Sequence, residues 1–441
     1  MSVLRSRYDG PILRLALPSL GALVAEPLFL ATDTALVGHL GAPPLAALGV
    51  ASTVLQTALG LLIFLAYATT PLVARRLGAG DRRGALHAGI DGMWLAAGLG
   101  VVLAVAGWAT GPWLTGLFGA EPDVAAAAAR YLRISCLGLP AMLVVVAATG
   151  LFRGLLDTRT PLVVAGVGFA ANAGLNALLI YPAGLGLDGS AVGTVLAQTG
   201  MATACVLIAV RHARRGKVSL RPGRVGLAAT ARSGGWLFLR NLSMRVVLVA
   251  TVVAATAHGT VALAATQAVF TVFSTAALGL DALAIAGQAM VGHALGAGDG
   301  TQARAVLRRL LELAGVGGLL LGLLLAACAP PLAAVFTSDG AVAAAIAAGL
   351  VVVAVGLPVG GVVWALDGVL MGAGDNRYLA LAGAINVAVT LPALLWVGQA
   401  SMPVTSAVTA IWWVFGVGYM LVRLVTLGVR ARGSRWLVLG V

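Results

Sequence analysis

"VARRLGAGD" at residues 73–81 is written again as "VGHALGAGD" at 291–299, 218 positions later. The same offset carries "LGLP" (137–140) onto "VGLP" (355–358) and "GLFRGLLDTR" (150–159) onto "GVLMGAGDNR" (368–377). It also carries Gly41, Ala46 and Ala47 onto Gly259, Ala264 and Ala265. One register over four landmarks means that the chain is two copies of one unit, in parallel orientation. Duplication of this kind is a transporter signature, because two similar lobes can rock against each other around a central site.

What is duplicated is built for lipid. Of 441 residues, 60% are hydrophobic and 10% charged, where a soluble domain carries about 25% charged residues. Apolar runs near the ~20 residues needed to cross the bilayer recur from end to end. The runs predict twelve helices, over 12–37, 45–73, 88–112, 128–152, 160–182, 189–210, 235–257, 262–291, 307–328, 341–371, 378–398 and 404–427. The fold class expected is therefore an all-α polytopic membrane protein with two parallel six-helix repeats. Residues 1–210 form the first lobe, 211–234 a basic linker, and 235–441 the second lobe with a short basic tail. No cleavable signal is expected in "MSVLRSRYDGPILRL". The cysteines Cys136, Cys205 and Cys328 lie inside apolar runs without metal-ligand spacing, so no metal or disulfide framework is expected.

The formal net charge is +13. In a soluble chain that excess would suggest nucleic acid; here its distribution gives another reading. Twenty-four of the 28 Lys and Arg fall on one side of the predicted spans. Among them are Arg5, Arg75, Arg76, Arg153, Arg159, the run from Arg211 to Arg232, Arg377 and Arg423 to Arg435. The opposite connections, such as "GHLGAPP" and "YPAGLGLDGS", carry none. The exceptions are Arg130, Arg133, Arg240 and Arg245. Positive residues mark the cytoplasmic side, so both termini are expected inside, in a plasma or inner membrane, with lipids as partners and no nucleic acid.

Glycine-rich turns ending in Asp at 78–81, 296–299 and 372–375 resemble an intramembrane protease motif. Their place at helix ends reads instead as left-handed glycine caps followed by Asp turns. No zincin or nucleophile-elbow motif is present, and the chain is not expected to be an enzyme.

The chemistry sits at membrane depth. A charge at the bilayer centre costs ~2.5–3.5 kcal/mol on insertion scales, so a buried ionisable group marks a partner or a cavity. Glu26 and Asp33 are seven residues apart, hence on one face of the first helix, which also holds Pro18 and Pro27. Asn172 and Asn176 share a face of the fifth helix, and Thr194 opens the sixth. A carboxylate among amides could load and release a proton, since desolvation disfavours its charged form. The alternative is a buried polar cluster that only locks helix packing. The second copy does not repeat these groups: Asp33 becomes Thr251 and Glu26 becomes Met244 at +218. It offers Asp281, Asp367, Gln267 and Arg245 as candidate cavity residues. Asp367 could pair with Arg377. Trp108, Trp113, Tyr181, Trp412 and Trp413 fit an interfacial aromatic belt.

"ATDTALVGHLG", "LGAGD", "GLFRGLLDTRTPLVV" and "GLGLDGSAVGTVLAQ", in this order within a duplicated frame, resemble the multidrug and toxic compound extrusion (MATE) family, in particular its DinF-like branch. The resemblance runs from about residue 11 to 427. It implies two six-helix bundles in a V shape and export of organic, often cationic and aromatic, compounds in exchange for H⁺ or Na⁺. By position Asp33 is similar to the helix-1 aspartate that proton-coupled members protonate, and Asn172 and Thr194 match polar residues of the same pocket. Asn176 departs from relatives that carry a second aspartate there, which favours protons over sodium unless Glu26 takes that role. Asp367 resembles the helix-10 acid of the sodium-coupled NorM-like branch. The expectation is an H⁺-coupled antiporter, a monomer without a cofactor beyond the coupling ion. Its rivals are a Na⁺-coupled exporter, a lipid-linked precursor flippase and, more distantly, a membrane transferase. Arg used 27 times against one Lys suggests a G+C-rich bacterial genome.

Overall fold

A computed structural model describes residues 6–440; Arg5, counted above on the basic side, lies outside them. Among the described residues eleven helices are long and apolar enough to cross a membrane, and a bent pair makes twelve. They are α1 (Asp9–Gly38), α2 (Ala42–Gly78), α3 (Arg82–Gly116) and the bent α4 (Pro122–Cys136 with Leu139–Gly154). Then follow α5 (Arg159–Ile180), α6 (Gly186–Gly216), α7 (Arg224–Ala257) and α8 (Thr260–Gly296). The last are α9 (Gly300–Phe336), α10 (Gly340–Gly372), α11 (Asn376–Gln399) and α12 (Val404–Arg432).

Several helices outrun their apolar cores. α3 and α9 begin six to seven residues before the predicted starts of 88 and 307. In each, an Asp just ahead of the helix binds a free backbone N–H of the first turn: Asp81 accepts from Gly84 N at 2.8 Å and Asp299 from Gln302 N at 2.7 Å. These are the aspartates of the glycine-rich turns. Gly80, Gly298 and Gly374 take φ of +80°, +75° and +72°, which favours glycine. The glycine reading thus holds at all three turns and the Asp cap at the first two, while Asp375 binds Arg430 instead. α4, expected as one helix over 128–152, bends by 51° at Leu137–Gly138, because Pro140 cannot continue the hydrogen-bond ladder of the preceding turn. α1 runs unbroken over both of its prolines.

The chain groups into two compact units. One holds Pro18–Gly234, and the other holds Gly235–Gly440 with the described part of Met1–Leu17. The repeat is visible in what each unit buries. On α6 the buried positions include Gly189, Ser190, Gly193, Ala197, Cys205, Ala209 and Ala213. On α12 the residues 218 further on, Ala407, Val408, Ile411, Phe415, Arg423, Leu427 and Ala431, are buried as well.

Each unit also holds the leading segment of a helix in an equivalent way. In the first, Asp91 on α3 accepts from Gly223 N at 2.7 Å, just ahead of α7, and Trp94 Nε1 donates to Leu220 O at 2.9 Å. A carboxylate there faces the positive end of the α7 dipole. In the second, Arg309 on α9 holds Asp9 in the first turn of α1, at 2.5 and 2.9 Å. Arg309 is Asp91 displaced by 218 positions.

Trp412 is a correction. It was expected at the membrane interface, but it is fully buried, packed among Phe270, Phe273 and Phe415 with ring centroids 5.5–6.3 Å apart. Tyr181, Trp108, Trp113 and Trp413 are exposed.

Candidate functional site

In the first unit the polar residues of α1, α5 and α6 converge on one carboxylate. Asp33 is 6% exposed. Its Oδ1 accepts from Asn176 Nδ2 at 2.8 Å and from Ser190 Oγ at 2.7 Å. Asn176 Nδ2 also donates to Asn172 Oδ1 at 3.1 Å, and Asn172 Nδ2 to Thr194 Oγ1 at 3.1 Å. Tyr131 of α4, itself buried, adjoins Ser190 and Thr194. The Phe29 and Phe169 rings stack at 5.0 Å between α1 and α5.

Close approach of α5 and α6 makes the network fit. A Cβ on Gly193 would lie 2.1 Å from Asn176 Oδ1 and 3.1 Å from Asn176 N. One turn earlier, a Cβ on Gly189 would lie 2.8 Å from the Leu179 carbonyl. Glycines four apart let two membrane helices touch backbone to backbone.

Two atoms in this site stay unsatisfied. Asn176 Oδ1 is buried and has no partner among the described residues. Asp33 Oδ2 has none among the described residues, yet it is not sealed off as Asn176 Oδ1 is. Ordinarily a buried polar atom is hydrogen-bonded, so an open carboxylate oxygen beside an unpaired amide oxygen needs a reason.

Asp33, Asn172, Asn176 and Thr194 are thus brought together. Ser190 joins them and was not anticipated; its signal was its i, i+4 spacing from Thr194. Glu26 does not join. It is exposed, and no described residue pairs with it. Seven residues of helix place it ~10 Å along the axis from Asp33, beyond hydrogen-bond reach.

The second unit gathers a different set. Asp367 on α10, 4% exposed, meets two arginines. Arg240 of α7 binds it in a fork, Nε to Oδ1 at 3.2 Å and Nη2 to Oδ2, while Nη1 goes to Asn241 Oδ1 at 2.9 Å. Arg423 Nη2 of α12 reaches the same Oδ2 at 3.1 Å. The expected partner Arg377 lies instead over the Trp236 ring at 6.0 Å. Asp281 is half-buried on α8, Arg245 half-buried on α7, and Gln267 exposed on α8. None of the three lines the crevice beside Asp367. No group of three or more His, Cys, Asp or Glu among the described residues is arranged to hold a metal ion.

A duplicated twelve-span helical frame with one buried acidic site per half defines a class of secondary membrane transporters. The MatE family model matches residues 18–178 and again 237–397. Protein DETOXIFICATION 44 of Arabidopsis thaliana is 31% identical over 383 residues, covering 84% of this chain and 73% of the relative. DNA damage-inducible protein F of Escherichia coli is 28% identical, covering 89% and 87%. The fold matches the Vibrio cholerae MATE transporter VcmN in its bent form with a TM-score of 0.87 at 23% identity, covering 96% of this chain and 97% of that one. The chain belongs to the MatE family; it is a multi-pass MATE efflux transporter, not an enzyme.

Proposed function

We propose that the chain exports small organic compounds in exchange for protons, and that Asp33 carries the proton. The observation that supports this most is the asymmetry of its carboxylate. Oδ1 is held by two donors, while Oδ2 has no partner among the described residues.

Loading Oδ2 turns an acceptor into a donor. The neutral acid is a weaker acceptor for Asn176 and Ser190, since hydrogen bonds to an ionised group are roughly twice as strong as neutral ones. Its new O–H needs an acceptor, and an amide can serve either way. Asn176 Oδ1, buried without a partner, becomes that acceptor if the amide turns. The chain from Asn176 through Asn172 to Thr194 then rearranges, linking proton occupancy to the packing of α5 and α6 against α1. Proton and substrate must favour the two access states differently for such a site to drive transport.

Sodium fits this neighbourhood less well. The site has a single carboxylate, and its Oδ1 is already held by two donors. A pyrophosphate flippase would need several uncommitted cations, and here Asp367 occupies both arginines of its cluster. In this reading the arginine-rich side faces the cytoplasm, both termini lie there, and the protein works as a monomer in the cell membrane.

The test is ethidium transport in proteoliposomes under a pH gradient or a sodium gradient, wild type beside Asp33→Asn. Transport driven by the pH gradient and lost in the variant is expected. Sodium-driven transport that survives Asp33→Asn would refute it.

A further inference from the structure

The first unit carries a crevice that the proton reading does not use. Toward the arginine-rich ends of α3, α4 and α6 it encloses about 300 Å³, within the range of pockets that hold small molecules. Ile90 and Trp94 of α3, Val144 of α4, and Val206 and Val210 of α6 form its walls, with Leu220 of the chain leading into α7. No charged side chain lines it, and the indole N–H of Trp94 is already given to Leu220 O at 2.9 Å. Trp94, Val206 and Leu220 are exposed, so the crevice is open at the surface of the protein.

The chain at its mouth is pinned in place. Arg221 N donates to Ser219 Oγ at 3.2 Å, His87 Nδ1 meets Ser219 O at 3.3 Å, and Gly223 N donates to Asp91 at 2.7 Å. Arg221 is thereby fixed directly after the wall residue Leu220. On α6, Arg214 comes one turn after Val210 and two after Val206; on α3, Arg83 comes two turns before Ile90. Each therefore shares the lining face of its helix, nearer the helix end. The two ends meet, since a Cβ on Gly216 would lie 3.3 Å from Leu86 Cδ1. Arg83, Arg214 and Arg221 are exposed, and none belongs to an ion pair among the described residues. No Asp or Glu occurs between Asp188 and Asp281. The acids of the unit at this end are engaged: Asp81 and Asp157 bind the first turns of α3 and α5, and Asp91 holds Gly223.

An apolar slot with cations at its mouth fits a hydrocarbon chain that ends in a negative group. A soluble anion would use the cations and leave the slot empty. A zwitterionic lipid would fill the slot, but its own cation works against a basic mouth. Basic clusters beside membrane helices attract anionic headgroups, and Trp favours the level of the membrane interface. We infer that the crevice holds one acyl chain of an anionic phospholipid from the leaflet on the arginine-rich side, with its phosphate at Arg83, Arg214 and Arg221. The lipid braces α3 and α6 against the segment that leads into α7. The site is independent of the proton reading at Asp33.

Trp94 is its own reporter. The purified protein in phosphatidylcholine nanodiscs is titrated with phosphatidylglycerol brominated on its acyl chains, which quenches tryptophan on contact, or with brominated phosphatidylcholine. Because the chain has nine tryptophans, the signal in each background is the quenching lost on adding Trp94→Phe. Brominated phosphatidylglycerol should half-saturate it at a mole fraction about tenfold or more below brominated phosphatidylcholine. Arg214→Gln and Arg221→Gln should each shrink that preference about fivefold, and high salt should shrink it too. Val206→Phe, which fills the mouth and keeps every cation, should abolish saturable quenching of Trp94 by either lipid. Asp33→Asn should leave the titration unchanged, which separates this site from proton coupling. Equal half-saturation by the two lipids, or a preference that survives Arg214→Gln and Arg221→Gln combined, would overturn the inference. Relief of the quenching by tetraphenylphosphonium would give the crevice to a transported cation and overturn it as well.

Discussion

Gly193→Ala tests the proposed proton site without removing any polar atom. The added methyl carbon would stand 2.1 Å from Asn176 Oδ1 and 3.1 Å from the Asn176 backbone nitrogen. The near neighbour is the end of a side chain, so the amide can swing away at little cost to the helices. In swinging it gives up the 2.8 Å bond to Asp33 and the 3.1 Å bond to Asn172. A hydrogen bond to a charged group contributes ~1.5–3 kcal/mol, which is roughly a ten- to hundredfold change in an equilibrium. Transport driven by a pH gradient should fall by that factor, while Tm in detergent changes little. The control is Gly189→Ala, whose methyl would meet the Leu179 carbonyl at 2.8 Å. Backbone cannot yield in the same way, so this variant should lose stability first. A double-mutant cycle closes the argument. If Gly193→Ala acts through the amide, combining it with Asn176→Ala should be no worse than Asn176→Ala alone. Additive losses, or wild-type transport in folded Gly193→Ala, would refute the role given to Asn176.

Ser190→Ala removes the other donor to Asp33 Oδ1 and should lower pH-driven ethidium transport about tenfold, with the fold intact by circular dichroism. Arg309→Gln breaks the two-point hold on Asp9 and should lower Tm, whereas Asp91→Asn, which keeps an acceptor for Gly223 N, should lower it less. Trp412→Ala empties a fully buried ring site and should cost ~3–5 kcal/mol by denaturant titration. Trp412→Phe should be milder, because it also removes an indole N–H that is buried without a partner.

The frame was legible because it repeats: spans, basic loops and glycine turns all recur at one offset, and burial on α6 and α12 follows it. The Asp33 site was legible for a local reason, since Asn172 and Asn176 are one turn apart and a lone acid in an apolar helix stands out. Glu26 shares a face with Asp33 but not a contact, because two turns of helix separate them. The Asp367 cluster was hidden. Its arginines lie 127 residues before and 56 after it, and Arg423 reads naturally as the start of the basic tail. A π-helical turn over Trp413–Tyr419 lies just before Arg423, and nothing in "WVFGVGY" announces it.

The duplication also shows which polar groups the fold does not require. At +218 the first-unit site of Asp33, Asn172, Asn176, Ser190 and Thr194 becomes Thr251, Thr390, Leu394, Val408 and Trp412. Those positions are buried as well, yet they hold small, aliphatic and aromatic groups. In the other direction Arg240, Asp367, Asn386 and Arg423 become Ala22, Thr149, Gly168 and Cys205. Each helix crossing therefore packs with or without the charges, so packing alone does not account for them. Buried polar networks cost desolvation that an apolar core avoids. A chain that holds one such network in each half, at positions that do not correspond, has divided its chemistry between the halves.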